Sequence, residues 1–387
     1  KGKHLAEVVH FGDQQVFANA TTYTCLLFLN KQEQEYFHFV KAHHLSAWQN
    51  DSKTGIPEDI ESDKLTNDEW HFVIGAGKPL FERLNHMPIK LENITSKIFQ
   101  GLVTGADAVF IMEKLSEKAY QSAITGKTYH IEAELMHPLC KGSVNLKRYH
   151  IINVKKSILF PYHLKDGTAK LLSLSELQQH FPKAWAYLLK NQSQLEAREA
   201  GKWQHEKWYA FGRSQNLSEM EQEKILTPSI SNQASFTFDK SHYYFVGSGG
   251  GGGGGYGILL KEQYRSLSYF YLLGLLNSKL LDWFIKQISS PFRGGYYSYN
   301  RQYFEPIPIR TIDFDNPTDK ANHDQLVEWV EQMLALNKQR AANNDPHTQK
   351  IIERRIEATD KQIDQLVYRL YDLTKKEIEI VEKKGDC

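Results

Sequence analysis

A mixed α+β fold ending in an antiparallel helical tail is what this sequence predicts, and three observations predict it. The front half alternates short apolar runs with polar or glycine-rich breaks, the pattern of strands and turns. Residues 174–201 and 266–287 carry apolar side chains at helical spacing. Near the end, Ile352, Ile356, Thr359, Ile363, Leu366, Leu370 and Leu373 follow a 4-3 spacing, which is a coiled-coil seam and needs a partner helix.

Composition allows this and narrows the function. With 387 residues, 41% hydrophobic and 24% charged, the chain is long enough for two or three domains with a sizeable core. No apolar run reaches the roughly 18 residues of a membrane span, so no membrane partner is expected. The opening KGKHLAEVV has neither a signal-peptide apolar segment nor a Met, and the chain is expected to be a soluble piece of a longer cytoplasmic protein. Cys25, Cys140 and Cys387 are far apart and make no ligand spacing, so neither a zinc site nor a disulfide framework is indicated. A net charge of +1 speaks against purely electrostatic nucleic-acid binding but leaves room for a local basic face.

In chain order, residues 5–29 read as two strands joined by a polar connection, an edge hairpin. Residues 31–88 are polar with sparse apolar positions and read as a connector. His43 and His44 within it lack a third ligand at helical spacing, and Pro79 to Met87 reads as one or two helical turns. In 91–112, Gly101 and Gly105 separate Ile98-Phe99 from Val109-Phe110-Ile111-Met112, which predicts strand, tight turn, strand. Between 134 and 162, Lys141, Lys147, Arg148, Lys155 and Lys156 alternate with Tyr149 and His150; cations of this kind contact phosphates and set register. A solvated face on alternating strands gives the same pattern.

Further on, Trp203, Trp208, Tyr209 and Phe211 precede Arg213, Ser214, Gln215 and Asn216, a row with the donors and acceptors of major-groove readout, or else a polar surface turn. Asn232, between Ser231 and Gln233, is a weaker case. Seven glycines at 249–255 lack the Gly-Lys-Ser/Thr closure of a phosphate loop and are followed by a strand-like run, so a flexible loop is expected. The 266–287 stretch reads as one apolar helix. The loop after it sets Arg293, Tyr296, Tyr297, Asn300 and Arg301 around Gly294-Gly295, which suits a polyanion, unless the aromatics fold back onto the domain. From His323 onward two helices are split by AANNDPHT, with residues 326–336 the partner of the seam.

The phrase SKIFQGLVTGADAVFIM resembles the start of the TaqI-like C-terminal specificity domain of type IIG restriction-modification enzymes and related adenine DNA methyltransferases. The phrases FPYHLKDGTAKLL, KAWAYLLKNQSQLEARE, WYAFGRSQNL, KILTPSISNQASF, YYFVGSGGGGGGGYGI, LLGLLNSKLLDWFI and QLVYRLYDLT follow in that family's order. The resemblance implies that 1–45 are the last strands of a methyltransferase domain, 46–90 a connector entering through a short strand at LTNDEWHFVI, 91–312 the target-recognition domain and 320–384 a helical tail. It places Phe17 where the family stacks an aromatic on a flipped adenine, and puts Gln100, Thr104, Lys141, Lys147, Arg148 and Lys155 on the DNA side. A core phenylalanine is the alternative reading of Phe17.

No Asn-Pro-Pro-aromatic or Asp-Pro-Pro-aromatic motif and no early glycine loop is present, so no catalytic residue is expected here. S-adenosylmethionine, and Mg for any nuclease, would belong to the full-length protein. Sequence-specific recognition of duplex DNA, beside an upstream methyltransferase domain of the same polypeptide, is therefore the expected function. The rival is a protein scaffold using the tail and aromatic loop.

Overall fold

The computed structural model describes residues 3–20, 22–42, 44–65, 70, 72–247 and 253–383. Strands β1 (Leu5–His10), β2 (Cys25–Leu29), β3 (Tyr36–Lys41) and β4 (Ile56–Glu61) form one sheet in the order β2-β1-β3-β4. The expected pairing of β1 with β2 is present and antiparallel, whereas β1 and β3 run parallel. Alternation sorts the side chains to two faces, Val8, Phe37, Phe39 and Ile60 on one and Val9, Phe11 and Val40 on the other. The connector expected from residue 31 is corrected here, because β4 pairs with the whole of β3, from Tyr36 opposite Glu61 to Lys41 opposite Ile56. β4 buries Ile60 alone, so it carries no alternating signal. His43 and residues 66–69 and 71 of the expected entry strand lie outside the described residues; Phe72 is in no strand and packs its ring on Phe37 and Phe39.

After α1 (Lys78–Asn85), the segment 91–112 departs from the expected hairpin. β5 (Thr95–Gln100) and β6 (Ile111–Lys114) both form, but in different sheets. Gly101 is not a hairpin turn; a Cβ there would come within 2.5 Å of the backbone at Phe245 and Val246, so glycine is what lets two chain segments touch. Residues 107–110 then make a helical turn before β6. β7 (Ala119–Ser122), β8 (Thr128–His130), β9 (Met136–Cys140) and β10 (Lys156–Leu159) follow. Next come α2 (Leu174–His180), opened by a Ser173–Glu176 capping box, and α3 (Pro182–Lys190).

Four strands follow that belong to the two larger sheets of the domain, β11 (Lys224–Pro228), β12 (Thr237–Asp239), β13 (Tyr244–Phe245) and β14 (Gly255–Leu260). They complete a six-stranded sheet, β13-β9-β10-β6-β7-β8, and a four-stranded one, β12-β11-β14-β5. One core lies under the six-stranded sheet with α2 and α3. Where the sheets meet, Lys224 and Asp239 form a fully buried ion pair, 2.8 Å apart.

The expected single helix at 266–287 is two, α4 (Tyr269–Leu276) and α5 (Lys279–Ile288). Between them the Asn277 amide exchanges two 2.9 Å hydrogen bonds with the Phe236 backbone, and Ser278 caps α5 by accepting from Leu281 N. A two-stranded hairpin follows, Pro291–Phe292 against β15 (Tyr296–Ser298), turned by Gly294 and Gly295.

The tail is α6 (Pro317–Ala342), α7 (Pro346–Leu370) and α8 (Lys375–Glu382). α6 and α7 pack on each other across the expected break, and Ile352, Thr359, Ile363, Leu366 and Leu370 are buried along the seam. The pair packs most extensively on itself, as expected, and also docks on the domain. Leu326 and Val330 of α6 close on Gly274 of α4, and the Asp364 carboxylate of α7 accepts from Lys279 N, the first residue of α5, at 2.9 Å. Tail, α4, α5 and the four-stranded sheet share one core.

Candidate nucleic-acid interface

Two loops far apart in sequence are laced together at one edge of the domain. Gly212 N donates to Thr104 O at 2.8 Å and Arg213 N to Val103 O at 3.1 Å. The buried guanidinium of Arg198 fastens this junction, donating to Thr104 O, Ala210 O and Trp208 O and lying 4.0 Å over the Trp203 ring. Arg213, Ser214 and Gln215 therefore stand exposed on a turn whose base is fixed. Their neighbours have different jobs. Asn216, at φ 60°, donates its amide to Gln100 O at 3.1 Å, and Thr104 is buried, accepting from Ala106 N and bonding Asp107. Asn216 and Thr104 build the platform.

Contacts continue from this platform across the domain. Gly247 lies against the Gln100 side chain, and Gly253, within the glycine run, lies against the Lys141 stem. Residues 248–252, on which most of the expected loop falls, are outside the described residues. The flanking glycines make backbone contacts: Gly254 O accepts from Ser229 N and Gly255 N donates to Val246 O. Ser231 pairs with Tyr297, which places exposed Asn232 beside the Gly-Gly hairpin. On that hairpin Tyr296 is 44% exposed, whereas Tyr299 and Tyr303 turn into the core. Asn300 precedes the short helix 301–304, and Arg301 pairs with Glu305 at 2.5 Å.

The hairpin is tied to the first sheet. Arg293 N donates to the Tyr23 hydroxyl and Arg293 Nη2 to Gln15 Oε1, both at 2.9 Å. The same Gln15 side chain donates from Nε2 to the carbonyls of Phe17, Ala18 and Ala20. Phe17 is 59% exposed, so it is not a core phenylalanine, and its loop is shaped by one glutamine that also holds the aromatic hairpin.

The basic segment splits. Arg148 does not face outward as a phosphate contact would; it pairs with Asp360 of α7 and donates to Asn277 O, each at 2.5 Å. Burial opposes its charge, but Tyr149 and Asp360 outweigh that and hold the guanidinium above its ordinary value. Arg148 thus clamps the tail to the domain. Lys147 Nζ bonds Ser143 O, in the same pocket as Asn232 and Tyr296. Lys155 is exposed beside β6, its carbonyl accepting from Lys114 N. Arg198 and Gln15 escaped the sequence reading because their hydrogen bonds reach backbone carbonyls and, for Gln15, an arginine 278 positions away, which no residue pattern marks.

Residues 137–309 match the model of the TaqI-like C-terminal specificity domain. That segment is similar to TaqI-like specificity domains. It holds Arg213, Asn232 and the aromatic hairpin, while Phe17 and Gln100 lie upstream of it. The chain is similar, at 28% identity over 98% of its length, to the type II restriction enzyme and methyltransferase RM.Eco57I of Escherichia coli, covering 39% of that protein. It is also similar, at 22% identity over 84% of its length, to the type II methyltransferase M.BstVI of Geobacillus stearothermophilus, covering 48% of it. The chain spans less than half the length of both relatives.

Among the described residues no group of three or more His, Cys, Asp or Glu is placed to hold a metal, and no helix is long and apolar enough to cross a membrane. The cavity of about 510 Å³ between the first sheet and the specificity domain is lined by Val8, Leu27, Phe39, Trp70, Phe72 and Tyr296, with His10, Lys41 and Lys286 and, among the described residues, Asp13 as its one carboxylate.

Proposed function

We propose that this chain is the sequence-reading part of an adenine-specific DNA methyltransferase of a restriction-modification system, one that binds a specific site in duplex DNA while other segments of the same polypeptide carry catalysis. The observation that carries this reading is the exposed Arg213-Ser214-Gln215 turn on its fixed base, within a specificity domain. Arg presents a bidentate fork to guanine O6 and N7, and Gln pairs in the same way with adenine N6 and N7. A fixed base matters because readout groups discriminate only when their position is held. Phe17, exposed on a loop fastened to the domain, is suited to stack on an adenine taken out of the duplex, a contact of roughly 1 to 3 kcal/mol.

S-adenosylmethionine, and Mg if a nuclease is attached in a type IIG arrangement, belong in this proposal to the full-length protein. A reducing cytoplasm suits the unpaired Cys25 and Cys140. One observation favours a protein neighbour as well: Leu26, Leu27, Phe28 and Leu29 of edge strand β2 are all exposed. The neighbour in this proposal is the methyltransferase domain of the same polypeptide. A free scaffold role for the tail is disfavoured by its burial against α4 and α5.

The test is the Arg213→Ala variant of the full-length enzyme. It should bind its own site about 1 to 3 kcal/mol more weakly and relax discrimination at one base position, read by sequencing methylated genomic DNA. Unchanged affinity and unchanged site preference would return the turn to an ordinary surface loop.

A further inference from the structure

A pocket of about 590 Å³ opens between the specificity domain and the helical tail, and no Asp or Glu is among its lining residues. Lys147 enters from the domain side and Arg340 from α6, while Asn232 and Gln233 approach from the segment that precedes β12. The Arg340 guanidinium is steadied by Asn337 Oδ1 at 3.0 Å and lies 3.4 Å from His150 Nε2. Arg148 also lines the pocket, but its charge is answered by Asp360, so Lys147 and Arg340 are the pocket cations with no carboxylate partner among the described residues. Burial holds the His150 imidazole below the ordinary value, and Arg340 and Lys147 push it in the same direction.

Two cations that converge from separate elements without a carboxylate, facing exposed amides that donate N–H, make an environment complementary to an anion. Tyr296 of the aromatic hairpin lines the same pocket, which makes it continuous with the face described above. We propose that Lys147 and Arg340, with Asn232 and Gln233 opposite, bind a phosphate of the duplex backbone, so that the helical tail is itself part of the DNA-binding surface. This rests on the DNA-binding reading above. Phosphate contacts position the protein without reading bases. Arg340 thereby sets register for the readout turn, and the Arg148–Asp360 clamp holds α7 at the distance that closes the pocket.

The experiment measures binding of fluorescent duplex DNA by anisotropy over a salt series, for the wild-type chain, Arg340→Gln and Lys147→Gln. Each variant should lower the slope of log affinity against log salt by about one, equally for cognate and unrelated duplexes, with the melting temperature unchanged. A wild-type slope that neither variant alters overturns the phosphate site while leaving the DNA reading intact. Absence of salt-dependent binding by the wild type overturns both. In parallel, inorganic phosphate compared with chloride at equal ionic strength should raise the melting temperature of the wild type but not of Arg340→Gln. Equal rises overturn the pocket whatever the DNA result; a wild-type rise without DNA binding overturns the backbone assignment and leaves a site for a free anion.

Discussion

Asp364 connects the tail to the domain through a buried carboxylate, and its replacement by Asn should change how stability depends on pH. The side chain is 2% exposed, accepts from Lys279 N at 2.9 Å, and is 3.6 Å from Lys279 Nζ. Burial pushes its pKa up to about 6 from the ordinary 3.8, with the neighbouring Asp360 adding to burial and Lys279 N, Arg148 and the Lys279 ammonium opposing it. The folded state therefore holds this proton more tightly than the unfolded one. Stability from this group is complete below about pH 3.8 and is lost as pH rises through about 6. The interval corresponds to about 3 kcal/mol, at about 1.4 kcal/mol for each pH unit. Asn keeps the carbonyl that accepts from Lys279 N and has no charge to desolvate. Asp364→Asn should thus be near neutral at pH 4 and stabilising at pH 7.5, with a difference between the two conditions of up to about 3 kcal/mol. Urea midpoints of the variant and the wild type at the two pH values measure it. A variant effect that is the same at both values would refute the reasoning and show that Arg148 and Lys279 neutralise Asp364 completely.

Two other expectations test how the platform is built. Lys224→Met strands Asp239, whose partners would shrink to Ser241 N and Tyr243 N, and should cost about 3 to 5 kcal/mol in urea unfolding, part of it recovered by adding Asp239→Asn. Gln15→Ala and Arg293→Ala should each speed amide exchange of residues 15–20 about fivefold, as expected for roughly 1 kcal/mol, and the double variant should add little more; additive effects would mean that the two side chains act separately.

What the sequence disclosed and what it hid follow one physical division. Side chains that bury an apolar face leave a period in the text, and for that reason β1, α1 and the seam through Ile363 were legible in the sequence, whereas β2, exposed throughout, and β14, buried throughout, were legible as short apolar runs. Elements defined by who pairs with whom leave none. β4 buries Ile60 alone and read as connector; β5 and β6 read as one hairpin because a glycine allowing close approach to Phe245 and Val246 looks the same in sequence as a glycine in a turn. The break between α4 and α5 was invisible because Asn277 and Ser278 cap and bridge with ordinary polar side chains inside an apolar stretch.

At the interface the same division separates exposure from engagement. Residue type placed Arg213, Arg148, Asn216 and Thr104 in one class, since each has donors or acceptors fit for DNA, but only packing decides which remain free to meet it. Arg213 stays outside because Arg198 and the backbone of Val103 and Thr104 carry the structural load of its turn. Arg148, one residue from Lys147, is drawn inward because Asp360 comes from a helix more than two hundred positions later. Adjacent cations in a basic run therefore have opposite fates, one spent on holding the tail and one left facing the pocket that the tail creates. A surface of this kind is assembled by the tail's docking, which is why a chain of net charge +1 can still present a locally basic face.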